Sequence, residues 1–393
     1  MTHRERFRKL FAFGEVDRIP CYFFGSWAET KARWAREGFN EIAPGVTDWN
    51  ADAGPQLPGM DPDWEQGIWD VHGLARLGPI GDIAPCVLWE DKTRRLLRSS
   101  IGEEYEERKD GTSIAHTHKH ALEPTRESWA RFKCFLDRDG NSTPGSSGRL
   151  LPQEVGIGGE AQTSRYPDDL ESKAAAAAQP DRPLAFMGGS LYSWLRGWMG
   201  VENISYIMYD DPLLLEEMVS HLTDHFMRLM APVLKLVEFD FVYFFEDCCG
   251  SSGPLFSPSI YKKIFDAHYR RLIRFYKERG VPLALVDSDG WSEALIPCWR
   301  DSGFDIFFPI EVGKWGANPA GLRAKYGKIM MFGAVDKRLI NEPEDALRRH
   351  LEGLRPSVEE GGYLPIPDHR IPPDVSYGQM LRYIEIFHEV FNG

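Results

Sequence analysis

From residue 239 onward the chain repeats one unit: a short apolar run, a polar or charged residue at its end, then an amphipathic stretch. Phe239-Asp240-Phe241-Val242-Tyr243-Phe244-Phe245 ends in Glu246-Asp247, and Leu283-Ala284-Leu285-Val286 ends in Asp287-Ser288-Asp289-Gly290. Ile306-Phe307-Phe308 ends in Pro309-Ile310-Glu311, Ile329-Met330-Met331-Phe332 in Gly333-Ala334-Val335-Asp336-Lys337, and Tyr363-Leu364-Pro365-Ile366 in Pro367-Asp368-His369. The runs do not alternate polar with apolar, as expected of strands buried on both faces. Strand, polar end and helix in repetition is the βα rhythm of a parallel sheet. A doubly wound sheet and a closed barrel both satisfy it. An open sheet gathers its ligands at one switch point, whereas a (β/α)8 barrel brings every strand end to one mouth. Because each run ends in a charged group, the reading is α/β, a (β/α)8 TIM barrel with N-terminal and loop insertions. Neither GxGxxG nor GxxxxGK[ST] is present; Gly156-Ile157-Gly158-Gly159 has the wrong spacing and follows no strand.

Upstream the signals are more mixed. Phe7, Leu10 and Phe11 predict a helix over 3–13 with Gly14 as its C-cap, and Ile19–Phe24 reads as a buried strand. Residues 50–183 read as a loop- and hairpin-rich insertion in one domain spanning 1–393. Within it, residues 50–90 are rich in Pro, Gly and Trp and read as loops. A hairpin between Leu96 and His120 turns at Lys109-Asp110-Gly111-Thr112, residues 139–183 are loop-rich, and the five alanines at 174–178 belong to a short helix. Further helices are expected near 190–200, 211–237, 257–279, 317–326, 343–359 and 377–391.

At 393 residues with 42% hydrophobic content the chain can bury a large core. Its 46 Lys+Arg against 59 Asp+Glu leave a net charge of −13, which repels phosphate backbones and acidic lipid and argues against nucleic-acid or membrane partners. No apolar leader follows the N-terminus, and no run approaches the length of a membrane span. The six cysteines include no CxxC pair, so free thiols in a reducing compartment, the cytoplasm, are expected.

In a barrel, one mouth gathers Glu246, Asp247, Asp287, Asp289, Glu311, Asp336, Lys337, Asp368 and His369. So many like charges in a partly dry cleft call for a bound metal, protons on raised-pKa carboxylates, or a cationic substrate. Plainer roles stand beside these. Asp289 suits a helix cap, Asp336-Lys337 a local ion pair, and Arg196 and Arg338 partners for other acids. Cys248 and Cys249 suit small buried hydrophobes. His116, His118 and His120 share one strand face and suit an exposed hairpin. Trp27, Trp34, Trp49, Trp64, Trp69 and Trp89 suit loop packing, or an apolar lid over the mouth.

Several motifs, in order, carry a resemblance. They are Arg4-Glu5-Arg6 with Val16-Asp17-Arg18-Ile19-Pro20, Glu246-Asp247-Cys248 through Ser257-Pro258, Asp287-Ser288-Asp289-Gly290, and Gly333-Ala334-Val335-Asp336-Lys337-Arg338. Gly361-Gly362-Tyr363-Leu364-Pro365, Pro367-Asp368-His369 and Pro372-Pro373-Asp374 complete the set. Together they resemble the uroporphyrinogen decarboxylase superfamily, most strongly from about residue 184 to the end. The resemblance implies a (β/α)8 barrel. Uroporphyrinogen decarboxylases themselves carry an N-terminal Arg-Gln-Ala-Gly-Arg stretch that grips substrate carboxylates. Here that region reads Phe23-Phe24-Gly25-Ser26-Trp27, and an acidic mouth would repel such a substrate. Haem-precursor decarboxylation is therefore not expected.

The superfamily's other large branch contains methyltransferases that work with corrinoid proteins or coenzyme M. Its thiol-methylating members bind zinc through His-x-Cys and a distant Cys. The His-x-Cys place matches Asp287-Ser288-Asp289, and the third ligand falls near Asp368 and His369. The resemblance thus implies a zinc or other divalent metal on Asp287, Asp289, His369 and Glu246, with Lewis-acid chemistry. It further implies Asp287, Asp289, Glu311, Asp336 and Lys337 as catalytic residues and Glu246, Asp247 and Arg196 as substrate-binding ones. A corrinoid partner protein, a small methylated substrate and a homodimer follow from the same likeness. The alternative is a decarboxylase or lyase of a small acid, in which one carboxyl group among Asp287, Asp336 and Glu311 delivers a proton and Lys337 holds the substrate carboxylate. A barrel that has lost catalysis and only binds is a third reading.

Overall fold

The computed structural model describes residues 1–23, 25–39, 57–62, 73–110, 115–139, 164–178, 181–313 and 315–393. Trp49, Trp64, Trp69, the Gly156–Gly159 stretch and the tip of the expected hairpin at Gly111-Thr112 lie outside them. Strands β1 (Cys86–Glu90), β2 (Arg94–Arg98), β3 (Glu104–Arg108) and β4 (His116–Lys119) form an antiparallel sheet in sequential order. The strand β1 falls where only loops were expected, because its Cys86-Val87-Leu88-Trp89 run lacks the alternation that marks a half-buried strand.

The parallel strands are β5 (Ala185–Met187), β6 (Phe241–Phe245), β9 (Leu283–Asp287), β10 (Ile306–Ile310), β11 (Met330–Val335) and β12 (Tyr363–Pro367). A small hairpin, β7 (Cys249–Gly250) and β8 (Gly253–Pro254), is inserted after β6. The parallel sheet runs β12-β11-β10-β9-β6-β5, so neighbours in space follow the order of the chain. A doubly wound sheet must reverse that order at a switch point; this one does not reverse.

The sheet also curls. Alternate residues such as Met187, Tyr243, Leu285, Phe308, Phe332 and Ile366 form one interior cluster with Phe7, Leu10 and Phe11 of helix α1 (His3–Phe11). The Phe7 ring lies 5.4 Å from Phe241 and 6.2 Å from Phe332. A flat sheet would hold β6 and β11 about 14 Å apart, so α1 plugs a curved interior. The other strand face, with Phe186, Val242, Phe244 and Val286, packs against the outer helices. The fold is the α/β barrel class expected from the βα rhythm.

The segment Ile19–Phe24 forms no ladder among its described residues. Instead Tyr22 joins the interior cluster, and Ser26 makes a single parallel bridge to Ile371 just past β12. Helix α1 ends differently from expectation as well. The left-handed residue is Phe13 (φ 57), not Gly14, whose N–H donates to the Lys9 carbonyl at 2.9 Å. In this conformation the Phe13 ring lies over Gly362, where a Cβ would meet that ring at 2.4 Å. Helix Val201–Asp210 went unread between the expected ones, and the 257–279 stretch is two helices, Pro258–Ile264 and Asp266–Lys277. No helix among the described residues is long and apolar enough to cross a membrane.

Candidate active site

Three strand exits meet at one point. Asp289 follows β9, Glu311 follows β10 and His369 follows β12, and each offers a ligand atom within 4.8 Å of the others. Asp289 Oδ2 stands 3.6 Å from His369 Nε2, while Asp289 Oδ1 is buried with no hydrogen-bond partner among the described residues. The turn that carries Asp289 is held by Gly290 (φ 85), whose N–H donates to Glu311 Oε1 at 3.1 Å. A side chain at Gly290 would strike the Gly250 carbonyl oxygen at 2.7 Å, so glycine is required there. The imidazole of His369 lies 6.1 Å from the Trp27 ring at an interplanar angle of 30°.

The electrostatics follow from this crowding. Burial pushes the Glu311 carboxyl up; the Gly290 N–H opposes the shift and Asp289 reinforces it. Burial works against a charged His369, but the neighbouring Asp289 outweighs it and raises the imidazole's pKa. Burial lowers the Lys337 ammonium against the pull of Asp368 and Glu311. Lys337 makes no ion pair among the described residues.

Asp287, the last residue of β9, faces the barrel interior and is only 1% exposed. Tyr243 Oη donates to its Oδ2, and its Oδ1 has no partner among the described residues. Burial and the charge of Asp289 push its pKa well above the usual carboxylate range, against the Tyr243 hydrogen bond. Burial and the neighbouring charge thus bias this carboxyl group towards its protonated form.

The remaining acids are engaged elsewhere. Glu246 is turned to the start of helix Tyr192–Met199. It accepts from the Leu191 N–H at 3.1 Å, the Tyr192 N–H at 3.2 Å and the Tyr269 hydroxyl, and burial pushes its pKa up to about 8. Asp368 accepts from the Val312 and Lys337 N–H groups at 2.8 and 3.2 Å. Asp336 is gripped by Arg338, with Nε at 2.8 Å and Nη2 at 2.6 Å. Burial would raise its carboxyl, but Arg338 overcomes it and the pKa falls. Asp247, with φ at 36°, binds Arg196 through both its carbonyl (2.6 Å) and its carboxylate. Burial raises Asp247 despite that partner.

The family model described as uroporphyrinogen decarboxylase (URO-D) matches residues 184–390, more than half of the chain. The chain belongs to the uroporphyrinogen decarboxylase family. No curated protein sequence matches it. Among solved structures, a methyltransferase from Methanosarcina mazei is similar at 13% identity, with 99% of this chain and 98% of that chain covered and a TM-score of 0.53. A B12-independent methionine synthase from Shewanella sp. W3-18-1, solved with selenomethionine, gives 15% identity, coverage of 58% and 67%, and a TM-score of 0.38. The first likeness is one of fold.

The geometry therefore brings together Asp289, Glu311 and His369, with Asp287 and Tyr243 below them. Asp287 and Glu246, expected as ligands, stand outside the grouping that the described residues form. Glu311, expected for catalysis, stands inside it. Two carboxylates and one imidazole, with one buried oxygen left unsatisfied, make a donor set that suits zinc or a harder divalent ion. Tyr243 was missed in the sequence because it sits mid-strand and reads as core. Its polar tip two residues before the strand end was the only available signal.

Proposed function

We propose that the protein is a metal-assisted methyltransferase that moves a methyl group from a small methylated substrate to a corrinoid carried by a partner protein. The observation that carries this reading is the convergence of Asp289, Glu311 and His369 to within 4.8 Å, with Asp289 Oδ1 unsatisfied. Membership of the family and the fold shared with a methyltransferase support it. Asp289, Glu311 and His369 would hold the ion, which when bound supplies Lewis acidity to the heteroatom that loses the methyl group. The chain's own groups do the rest. That heteroatom is left electron-rich and needs a proton, and Asp287, buried at the floor of the mouth beside Tyr243 and biased towards protonation, would supply it. The ammonium of Lys337 stands at the β11 exit to orient the substrate. Arg196 binds Asp247 through its carbonyl and carboxylate, and the Trp27 ring lies beside His369.

One observation favours a second reading. A buried carboxyl group biased towards protonation, with an oxygen unpartnered among the described residues, as in Asp287, also suits proton delivery to a carbanion-like centre in a decarboxylase or lyase. Metal content separates the two. Plasma mass spectrometry of protein never exposed to chelator should find about one divalent ion per chain, lost in Asp289→Ala and His369→Ala. Purified protein that neither carries nor takes up a divalent ion would overturn metal-assisted methyl transfer and put the proton-delivery reading first.

A further inference from the structure

Asp368 is the residue at the mouth whose position is hardest to explain as packing. It is 4% exposed at the end of β12, and both its oxygens are spent on backbone rather than on a cation. Oδ2 accepts from the N–H of Val312, directly after Glu311, at 2.8 Å. Oδ1 accepts from the N–H of Lys337 at 3.2 Å. Its own N–H donates to the Val335 carbonyl at 2.8 Å, and the next residue is His369. One carboxylate thus ties the exits of β10, β11 and β12, and each tie lies on or beside a group of the mouth.

We infer that Asp368 is a positioning residue that sets Glu311, Lys337 and His369 relative to one another. The inference rests on the metal-site reading for its functional consequence. The physical reason is geometric. Residues just past a strand end are no longer held by the ladder, and a metal site needs its donors placed within a few tenths of an ångström. A carboxylate can accept two N–H bonds at once. Asparagine has one acceptor oxygen, and its amide N–H2 facing a backbone N–H is repulsive, so Asp368→Asn releases one exit while barely changing volume. The hydrogen bonds of its carboxylate and of its own N–H all lie at the strand exits that form the mouth.

The test uses the full chain, with Zn(II) affinity measured by competition against a chromophoric chelator and amide hydrogen exchange followed by mass spectrometry. Asp240→Asn serves as a control, since Asp240 is a buried carboxylate that also accepts from a backbone N–H but lies at the strand starts, away from the exits. Asp368→Asn should bind Zn(II) about 10- to 100-fold more weakly, with faster exchange confined to the peptides around Val312 and Lys337. Asp240→Asn should keep wild-type Zn(II) affinity even where its thermal midpoint falls further. Wild-type affinity in Asp368→Asn would overturn the positioning role while leaving the metal site intact. If the wild-type protein binds no Zn(II), the metal reading fails instead. Exchange then decides alone: a rise confined to the two exits sustains the positioning role, and an unchanged or barrel-wide pattern overturns it.

Discussion

Asp240 and Asp287 are equally buried, at 1% exposure each, and sit at opposite ends of the strands. Asp240 opens β6 beside helix α1, where Arg4 at 2.8 Å, Arg8 and the Leu184 N–H at 2.7 Å saturate its oxygens. Nearby Asp61 is saturated in the same way by Arg18, His3 and the Cys21 N–H. Asp287 closes β9 with one hydrogen bond and one unpartnered oxygen among the described residues. The difference teaches that burial alone does not separate a structural acid from a working one. In barrels the strand-start end serves stability and the strand-exit end serves chemistry, and among the described residues the carboxylate oxygens buried without a partner, those of Asp287 and Asp289, lie at the exit end.

The largest effect should come from breaking the saturated end. Asp240→Ala leaves two arginines and a backbone N–H without their acceptor and should cost about 3–5 kcal/mol in denaturant unfolding, with metal content unchanged in the folded fraction. A loss under 1 kcal/mol would erase the contrast. Next comes Glu246, which lies at the exit end yet is saturated like Asp240. Its folded pKa of about 8 lies above the ordinary 4.5, so the folded state keeps a proton that the unfolded chain has lost. Stability should therefore fall as pH rises from 4.5 to about 8, by at most about 1.4 kcal/mol per pH unit, and level off above. Glu246→Gln should flatten that slope in urea titrations at several pH values; an unchanged slope would assign it to another group. Arg338→Ala removes a partner that is 63% exposed and should cost less than about 1 kcal/mol. A larger loss would make Asp336 a structural anchor like Asp240. Smallest of all should be Asp287→Asn, within about 0.5 kcal/mol of wild type or slightly stabilising, because it removes an unsaturated buried acid. Its turnover should nevertheless drop at least about tenfold if the proton on Asp287 is used. A strongly destabilised Asp287→Asn would show that Asp287 belongs with Asp240.

Much of the barrel was legible because its strands are runs such as Leu283–Val286, buried on both faces and therefore continuous in apolar character. The N-terminal wall was not. The Ile19–Phe24 run has strand-like residues, but its pairing is a single bridge displaced to Ser26, and pairing depends on where Ile371 arrives. Helix α1 was read from its spacing, while its end was not, since the left-handed Phe13 packs closely on Gly361-Gly362, far away in sequence. At the site, the list of acids at strand ends was legible in full. Their division of labour was not. Glu246 reads as a ligand until the start of helix Tyr192–Met199 is seen to take both of its oxygens, and Tyr243 reads as core until Asp287 is placed beside it.

By itself the sequence determined that this is a parallel α/β protein whose acidic residues gather at strand exits, because burial on two faces and exit polarity are written into consecutive residues. Tertiary structure alone decided which acids are left with unsatisfied oxygens. Satisfaction is a property of what arrives from elsewhere: an arginine from α1, a helix N-terminus after β5, or the backbone N–H groups of Val312 and Lys337. Such partners lie tens to hundreds of residues away, and only the curled arrangement of the strands brings them within hydrogen-bonding distance.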